Sequence, residues 1–81
     1  MRLPRDLSGD ELAGRLRVYG YVLTRQTVSH LRLTTTLDGE HHITIPRHGS
    51  LRAGTLSAIL ADVAQHLGLT RQELLRELFG D

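Results

Sequence analysis

Hydrophobic residues recur at helical spacing near the start of the chain. Spaced by i, i+4 and i+7, they lie on one face of a helix. These residues are Leu12, Leu16 and Tyr19. Ser8, followed three residues later by Glu11, is typical of a capping box, in which each side chain binds a free backbone amide at the helix start. The pattern predicts a first helix that begins at Ser8 and is ended by Gly20, a residue that readily adopts the left-handed conformation.

From Tyr21 onward the hydrophobic period changes to two, which is typical of strands with one buried face. The alternation predicts strands over residues 21–25, 29–36 and 41–45. Asp38-Gly39 is a strong tight-turn signal between the second and third strands. Pro46 ends the third strand because proline has no amide to donate. We therefore expect three consecutive antiparallel strands.

Two more helices follow the strands. Gly54-Thr55 opens a long one that Gly68 ends, and Thr70 with Glu73 forms a second capping box for a short one. Their apolar positions are Leu56, Ile59, Leu60, Val63 and Leu67 in the long helix and Leu74, Leu75, Leu78 and Phe79 in the short one. This order predicts a single α+β domain over residues 1–81, with helices on one face of the sheet and the other face open.

The second strand brings two chemically active side chains together. Successive strand residues point to opposite faces, so Leu31 and Leu33 select the buried face. His30 and Arg32 then project together from the opposite face. Imidazole titrates near neutral pH and guanidinium binds phosphate oxygens, so the pair favours phosphodiester chemistry.

Composition narrows the possible functions. The 81 residues include no cysteine, which excludes disulfides, thiolate catalysis and cysteine-ligated zinc. Formal net charge is only +1, so nucleic-acid binding would depend on arginines clustered on one face. The chain shows neither a signal peptide nor the roughly 20 apolar residues of a membrane helix, and we expect a cytoplasmic protein.

Five short motifs together resemble the HicA family, the toxins of bacterial toxin-antitoxin pairs. The likeness covers about residues 3 to 77. The motifs are Leu3-Pro4-Arg5-Asp6-Leu7-Ser8-Gly9, Tyr19-Gly20-Tyr21, Ser29-His30, Pro46-Arg47-His48 and Gly54-Thr55-Leu56. The resemblance implies a double-stranded-RNA-binding-domain-like fold and an mRNA interferase activity. It also implies a HicB-type antitoxin as partner, with a higher-order toxin-antitoxin complex as an extension.

The resemblance also implies a catalytic residue. The family's catalytic histidine lies in a Gly-Ser-His segment, and it corresponds to His30, preceded here by Ser29. The chain departs from that segment at Val28, where the family commonly has glycine. The change matters if the position needs a positive φ or a close approach of RNA backbone. From the residues themselves, Arg32 and Arg25 are candidates to neutralise charge on the scissile phosphate. Pairing with an acid across the strands is an equal alternative for Arg32, and Arg25 is the weaker candidate of the two.

Other polar residues are weaker candidates. Ser29, Arg47, His48 and Arg52 are expected to contact RNA, although loop arginines are more often simply solvated. Adjacent strand residues diverge, so Ser29 and His30 should not form a hydrolase pair. For the same reason His41-His42 should not chelate one metal ion, and a solvated or turn-flanking pair is expected there. The sequence indicates no cofactor and no metal.

Three functions remain open at this point. The first is a metal-independent endoribonuclease toxin. The second is a non-catalytic RNA-binding module that holds RNA through phosphates and 2′-hydroxyls. The third is an inactive toxin relic that acts only as an antitoxin partner.

Overall fold

The computed structural model describes residues 3–80, which form helices on one side of a three-stranded sheet. The elements are α1 (Gly9–Arg15), a 3₁₀ turn (Leu16–Tyr19), β1 (Val22–Gln26), β2 (His30–Thr35), β3 (His41–Pro46), α2 (Ala53–Leu67) and α3 (Arg71–Phe79). This is the predicted α+β order, consistent with the double-stranded-RNA-binding-domain-like fold. No helix within residues 3–80 is long and apolar enough to cross a membrane.

The start of the first helix is as predicted, but its end is not. The Ser8 hydroxyl accepts a hydrogen bond from the Glu11 amide, and the Glu11 carboxylate accepts one from the Ser8 amide, each at 3.0 Å. The α-helix ends at Arg15, and the predicted last turn tightens into the 3₁₀ turn. Gly20 follows with φ of 79°, so its predicted left-handed role is confirmed.

The sheet has the order β1-β2-β3, and both pairings are antiparallel. Its inner face is apolar, with Leu31, Leu33, Ile43 and Ile45 all buried. The turn between β2 and β3 has positive φ at Asp38 and Gly39, which confirms the tight-turn signal. The predicted first strand begins at Tyr21, but β1 begins one residue later, and Tyr21 lies just before it and is fully buried.

The helices cover the inner face and leave the outer face to solvent. α2 ends at Gly68, which has φ of 68°, as its sequence predicts. α3 begins after Thr70, which forms the predicted capping box with Glu73. The core continues from the sheet into the apolar faces of α1, the 3₁₀ turn, α2 and α3. The core residues in these helical segments are Leu12, Leu16, Leu56, Ile59, Leu60, Val63, Ala64, Leu74, Leu75 and Leu78.

Backbone hydrogen bonds fasten the loop after β3 to neighbouring segments. The Gly9 amide donates to the His48 carbonyl at 2.9 Å, and the Leu51 amide donates to the Leu7 carbonyl at 2.7 Å. The Arg47 amide donates to the Ser29 carbonyl at 2.8 Å. The loop is therefore held beside the start of β2, where His30 lies.

Candidate active site

His30 is the first residue of β2 and is held by the turn that precedes it. The Thr27 amide donates to the His30 carbonyl at 2.9 Å, and the His30 amide donates to the Thr27 hydroxyl at 3.0 Å. These two bonds close the turn from both sides. The turn fixes the backbone of His30 while the imidazole remains exposed on the outer side of the sheet.

Ser29 contacts the His30 imidazole, contrary to the expectation that the two side chains diverge. The Ser29 hydroxyl lies 3.0 Å from His30 Nδ1. Alternation does not apply because Ser29 belongs to the turn and β2 begins one residue later. Among residues 3–80 no hydrogen bond engages Nε2 of His30. That nitrogen is therefore the one available to a substrate.

A β-bulge places Arg25 opposite Arg32. Leu23 pairs with Leu33, but the next pair is Arg25 with Arg32, so Thr24 is an extra residue in β1. Without the bulge Arg25 would pair with Leu31 and share its buried face. The bulge turns Arg25 to the outer face instead.

The two arginines and the histidine line one shallow groove on the outer face, of about 240 Å³. Its lining residues are Arg25, Thr27, His30, Arg32 and Thr44. Within residues 3–80 neither Arg25 nor Arg32 forms an ion pair with an acid. Two unneutralised guanidiniums beside an imidazole form an arrangement suited to an anionic substrate that undergoes proton transfer.

The loop residues lie outside this groove. The Arg47 side chain pairs with Asp10 at 3.4 Å, and its backbone lies next to Ser29. His48 is exposed in the same loop, and Arg52 is the exposed N-cap residue of α2. The sheet thus brings together His30, Arg25 and Arg32, and it does not gather Arg47, His48 and Arg52 into the same groove.

Val28 occupies its position without backbone strain. Apart from glycine, only Asp6 and Asp38 have positive φ within residues 3–80, so Val28 does not adopt the left-handed conformation that would require glycine. Its side chain is 94% exposed, beside the turn that holds His30. The departure from the Gly-Ser-His segment therefore leaves the local backbone intact.

The remaining strand histidines diverge, as expected. His42 lies on the outer face, where its ring contacts Thr34 and Glu40. His41 lies close to the turn before β3, which is one of the two placements expected, and it is partly buried on the inner side and not solvated. The part of the chain from residue 3 to residue 80 contains no cluster of three metal-ligating side chains.

His41 instead links the sheet to α2. The Tyr21 hydroxyl lies 2.7 Å from Nδ1 of His41, and Nε2 donates to the Asp62 carboxylate at 3.1 Å. The ring also stacks on His66, with centroids 4.3 Å apart. Burial, with a smaller effect of Asp62, raises the pKa of Tyr21 to about 12, so the phenol stays protonated and donates to Nδ1.

Sequence reasoning missed three threonines of the site. Thr44 could have been found, because the alternation that buries Ile43 and Ile45 places it on the outer face opposite Arg32. Thr27 and Thr24 carry no such signal. Their roles depend on a turn and a bulge that the spacing of apolar residues does not reveal.

A comparison with known proteins identifies the family. A family model described as the HicA toxin of bacterial toxin-antitoxin matches residues 9–65, more than half of the chain. The matched segment includes all three strands, the groove on their outer face and most of α2. No curated protein and no solved structure matches the chain. On the family match, this protein belongs to the HicA family of bacterial toxins.

Proposed function

We propose that this protein is an endoribonuclease toxin that cleaves mRNA in the cytoplasm on the outer face of its sheet. The observation that carries the proposal is one groove in which His30 lies beside Arg25 and Arg32. Membership of a toxin family supports a harmful activity, and the groove supplies groups suited to a phosphodiester. No other histidine lines this groove, so we assign the acid-base role to His30.

The chemistry follows from the free nitrogen of His30. In RNA cleavage the 2′-oxygen attacks the adjacent phosphorus and the bond to the 5′-oxygen breaks, giving a 2′,3′-cyclic phosphate and a 5′-hydroxyl. Nε2 of His30 either takes the 2′-hydroxyl proton or protonates the leaving 5′-oxygen, and solvent water takes or supplies the other proton. A well-placed acid or base accelerates such a step by roughly 10²- to 10⁴-fold. This mechanism needs no metal ion.

The arginines stabilise the charge that develops during this step. Arg25 and Arg32 are paired across β1 and β2 on the outer face, so both guanidiniums can donate to the same phosphate. Donors fixed in advance around developing charge often provide the largest catalytic effect. Ser29, Arg47, His48 and Arg52 are proposed as further RNA contacts, with Arg47 and His48 in the loop that lies beside Ser29.

The test compares the wild-type chain with His30→Ala. The exposed imidazole can be removed without disturbing the core, so the variant should unfold at the same urea concentration as the wild type. Induced wild type should stop growth, and the purified protein should cut transcripts in the presence of a chelator. His30→Ala should do neither. A fully toxic alanine variant would show that the proposed mechanism is wrong.

The rival functions give different outcomes. A non-catalytic RNA-binding module would bind RNA equally well with or without His30 and yield no cleavage products. An inactive relic would fail to arrest growth and would gain activity on Val28→Gly. Because Val28 fits its backbone without strain, we expect that variant to cleave no faster than the wild type.

A HicB-type antitoxin is the proposed protein partner. Family membership implies an antitoxin, and its gene is expected beside that of the toxin. Co-expression of the neighbouring small reading frame should restore growth in cells that produce the wild-type toxin. Failure of every neighbouring frame to restore growth would argue against this partner.

A further inference from the structure

Four side chains form a continuous line of hydrogen bonds across the outer face of the sheet, and we call this line the outer-face chain. Its contacts are Glu40 Oε2 to His42 Nε2 at 2.8 Å, His42 Nδ1 to Thr34 Oγ1 at 2.7 Å, and Thr34 Oγ1 to Thr24 Oγ1 at 2.9 Å. The chain starts in the loop before β3 and ends on β1, so it spans all three strands.

The hydrogen-bond donors and acceptors along the outer-face chain can be assigned in order, starting from Glu40. A carboxylate only accepts, so Nε2 of His42 donates to Glu40, and in the neutral form of the ring Nδ1 is then an acceptor. The Thr34 hydroxyl then donates to Nδ1. Its oxygen is left to accept from Thr24, whose single hydroxyl proton is shared between Thr34 at 2.9 Å and the Arg32 carbonyl at 3.3 Å. Each side chain therefore fixes the donor or acceptor role of the next side chain in the outer-face chain.

The outer-face chain ends on the residue that forms the bulge. Thr24 is the extra residue between Leu23 and Arg25, and the bulge is what turns Arg25 toward the outer face. The resulting pair of like charges, Arg25 opposite Arg32, is destabilising in a sheet unless an anion binds between them. The bulge therefore needs support from its neighbours, and the Thr24 hydroxyl provides two contacts.

We propose that the outer-face chain is a positioning device for the two arginines. By holding the bulge at Thr24, it keeps the guanidiniums of Arg25 and Arg32 together as one site for an RNA phosphate. Thr24 and His42 act through the arginines and need not touch RNA. The RNA ligand rests on the proposed function, whereas the placement of Arg25 does not.

The experiment uses Thr24→Val, which keeps the β-branched shape and removes the hydroxyl. Two probes are bound: a short 2′-O-methylated single-stranded RNA, which cannot be cleaved, and inorganic polyphosphate. We expect the variant to bind both probes roughly fivefold more weakly, the effect typical of the loss of one neutral hydrogen bond. The slope of log affinity against log salt should fall by about 0.7 for each phosphate that the variant no longer neutralises.

The decisive comparison is a double-mutant cycle with Arg25→Ala. If Thr24 acts through Arg25, the double variant binds no more weakly than Arg25→Ala alone. His42→Ala breaks the same chain at another link, so it should reproduce the loss and be equally non-additive with Arg25→Ala. Thr24→Ser keeps the hydroxyl and should restore binding. Thr36→Val makes the same substitution at an exposed loop threonine and should bind like the wild type.

The other possible results of these binding experiments would each contradict one part of the proposal. Additive losses in the cycle would mean that Thr24 contributes independently of Arg25, and the positioning role would be wrong. An Arg25→Ala variant that binds both probes normally would show that the arginine pair is not an anion site. If that variant loses polyphosphate but not RNA, the RNA-binding proposal fails while the positioning role stands.

Discussion

The Ser29 hydroxyl lies 3.0 Å from Nδ1 of His30, on the side of the ring away from the nitrogen that remains free. A hydroxyl can donate or accept, so it can partner Nδ1 in either protonation state of the ring. In the proposed mechanism this contact would hold the ring orientation as the proton moves to or from Nε2. The serine would then position the ring without reacting itself.

The first prediction concerns Ser29→Ala. Loss of one hydrogen bond to the ring, worth about 1 kcal/mol, should lower the rate of cleavage at saturating RNA by roughly fivefold. The KM for RNA should change less than the rate, because both arginines remain and Ser29 is only one of the further RNA contacts proposed. Steady-state cleavage of a fluorogenic RNA measures both constants. Ser57→Ala, which removes a hydroxyl on α2, is the matched control, and an equal fall in that control would refute the specific role.

Much of the fold could be predicted because its signals are local. Both capping boxes, at Ser8 and Thr70, form as expected, and Gly20 and Gly68 end their segments in the left-handed conformation. Period-two alternation also predicts the faces of β2 correctly, with Leu31 buried and its neighbours exposed. Each of these signals depends only on residues within a few positions of one another.

The site depends on relationships that sequence spacing does not carry. The bulge at Thr24 changes the face of Arg25, and no glycine marks it. Ser29 meets His30 because β2 starts one residue later than predicted. His41 binds Asp62 on α2, which lies 21 residues away in the sequence, and the spacing of residues within β3 does not indicate that contact. Strand ends, bulges and long-range polar contacts are set by tertiary packing.

The second prediction concerns two glycines of α1 in opposite surroundings. A β-carbon at Gly9 would overlap the carbonyl oxygen of Pro46, and Ile45 lies close behind it. Gly9→Ala should therefore lower the free energy of unfolding by about 1–3 kcal/mol, as overpacking does. Urea unfolding measures the change.

Gly14→Ala is the matched control for this substitution. Nothing lies within 4 Å of a β-carbon at Gly14, and the residue is exposed within α1. Alanine there should stabilise the protein by about 0.5–1 kcal/mol through helix propensity. Equal effects of the two substitutions would contradict the packing of α1 against the end of β3.

The third prediction concerns the stability of the folded protein at acidic pH. The Ser8 backbone amide, followed by the Ser8 hydroxyl, lowers the pKa of Glu11, and Thr70 lowers the pKa of Glu73 in the same way. A folded-state pKa below the unfolded value of 4.5 contributes stability above pH 4.5, which is lost as pH falls through the folded value. Urea midpoints should therefore drop below pH 4.5.

A double glutamine variant tests whether the two capping boxes cause this loss of stability at low pH. Glu11→Gln combined with Glu73→Gln keeps an acceptor oxygen in each capping box but cannot titrate. Its urea midpoint should fall less between pH 5 and pH 3 than that of the wild type. A parallel decline in both proteins would assign the acid sensitivity to other carboxylates.

The last prediction compares the two tyrosines of the core. The Tyr21 hydroxyl donates to His41 at 2.7 Å, so Tyr21→Phe leaves Nδ1 of a half-buried imidazole without its partner. We expect a loss of about 1–2 kcal/mol in the free energy of unfolding. In a domain of this size each kcal/mol lowers Tm by about 4–8 °C. Thermal and urea unfolding measure both quantities.

Tyr19→Phe removes the same group where it has no partner. Among residues 3–80 no hydrogen bond reaches the buried Tyr19 hydroxyl. Burial is the main cause of its raised pKa, and the nearby Glu77 carboxylate adds to it without a satisfactory hydrogen-bond geometry. Removing an unpaired buried hydroxyl should leave the free energy of unfolding unchanged or slightly increased.

If Tyr19→Phe destabilises the protein as much as Tyr21→Phe, the bond to His41 does not explain the effect. If only Tyr21→Phe does so, the contact between β3 and the segment before β1 stabilises the fold directly.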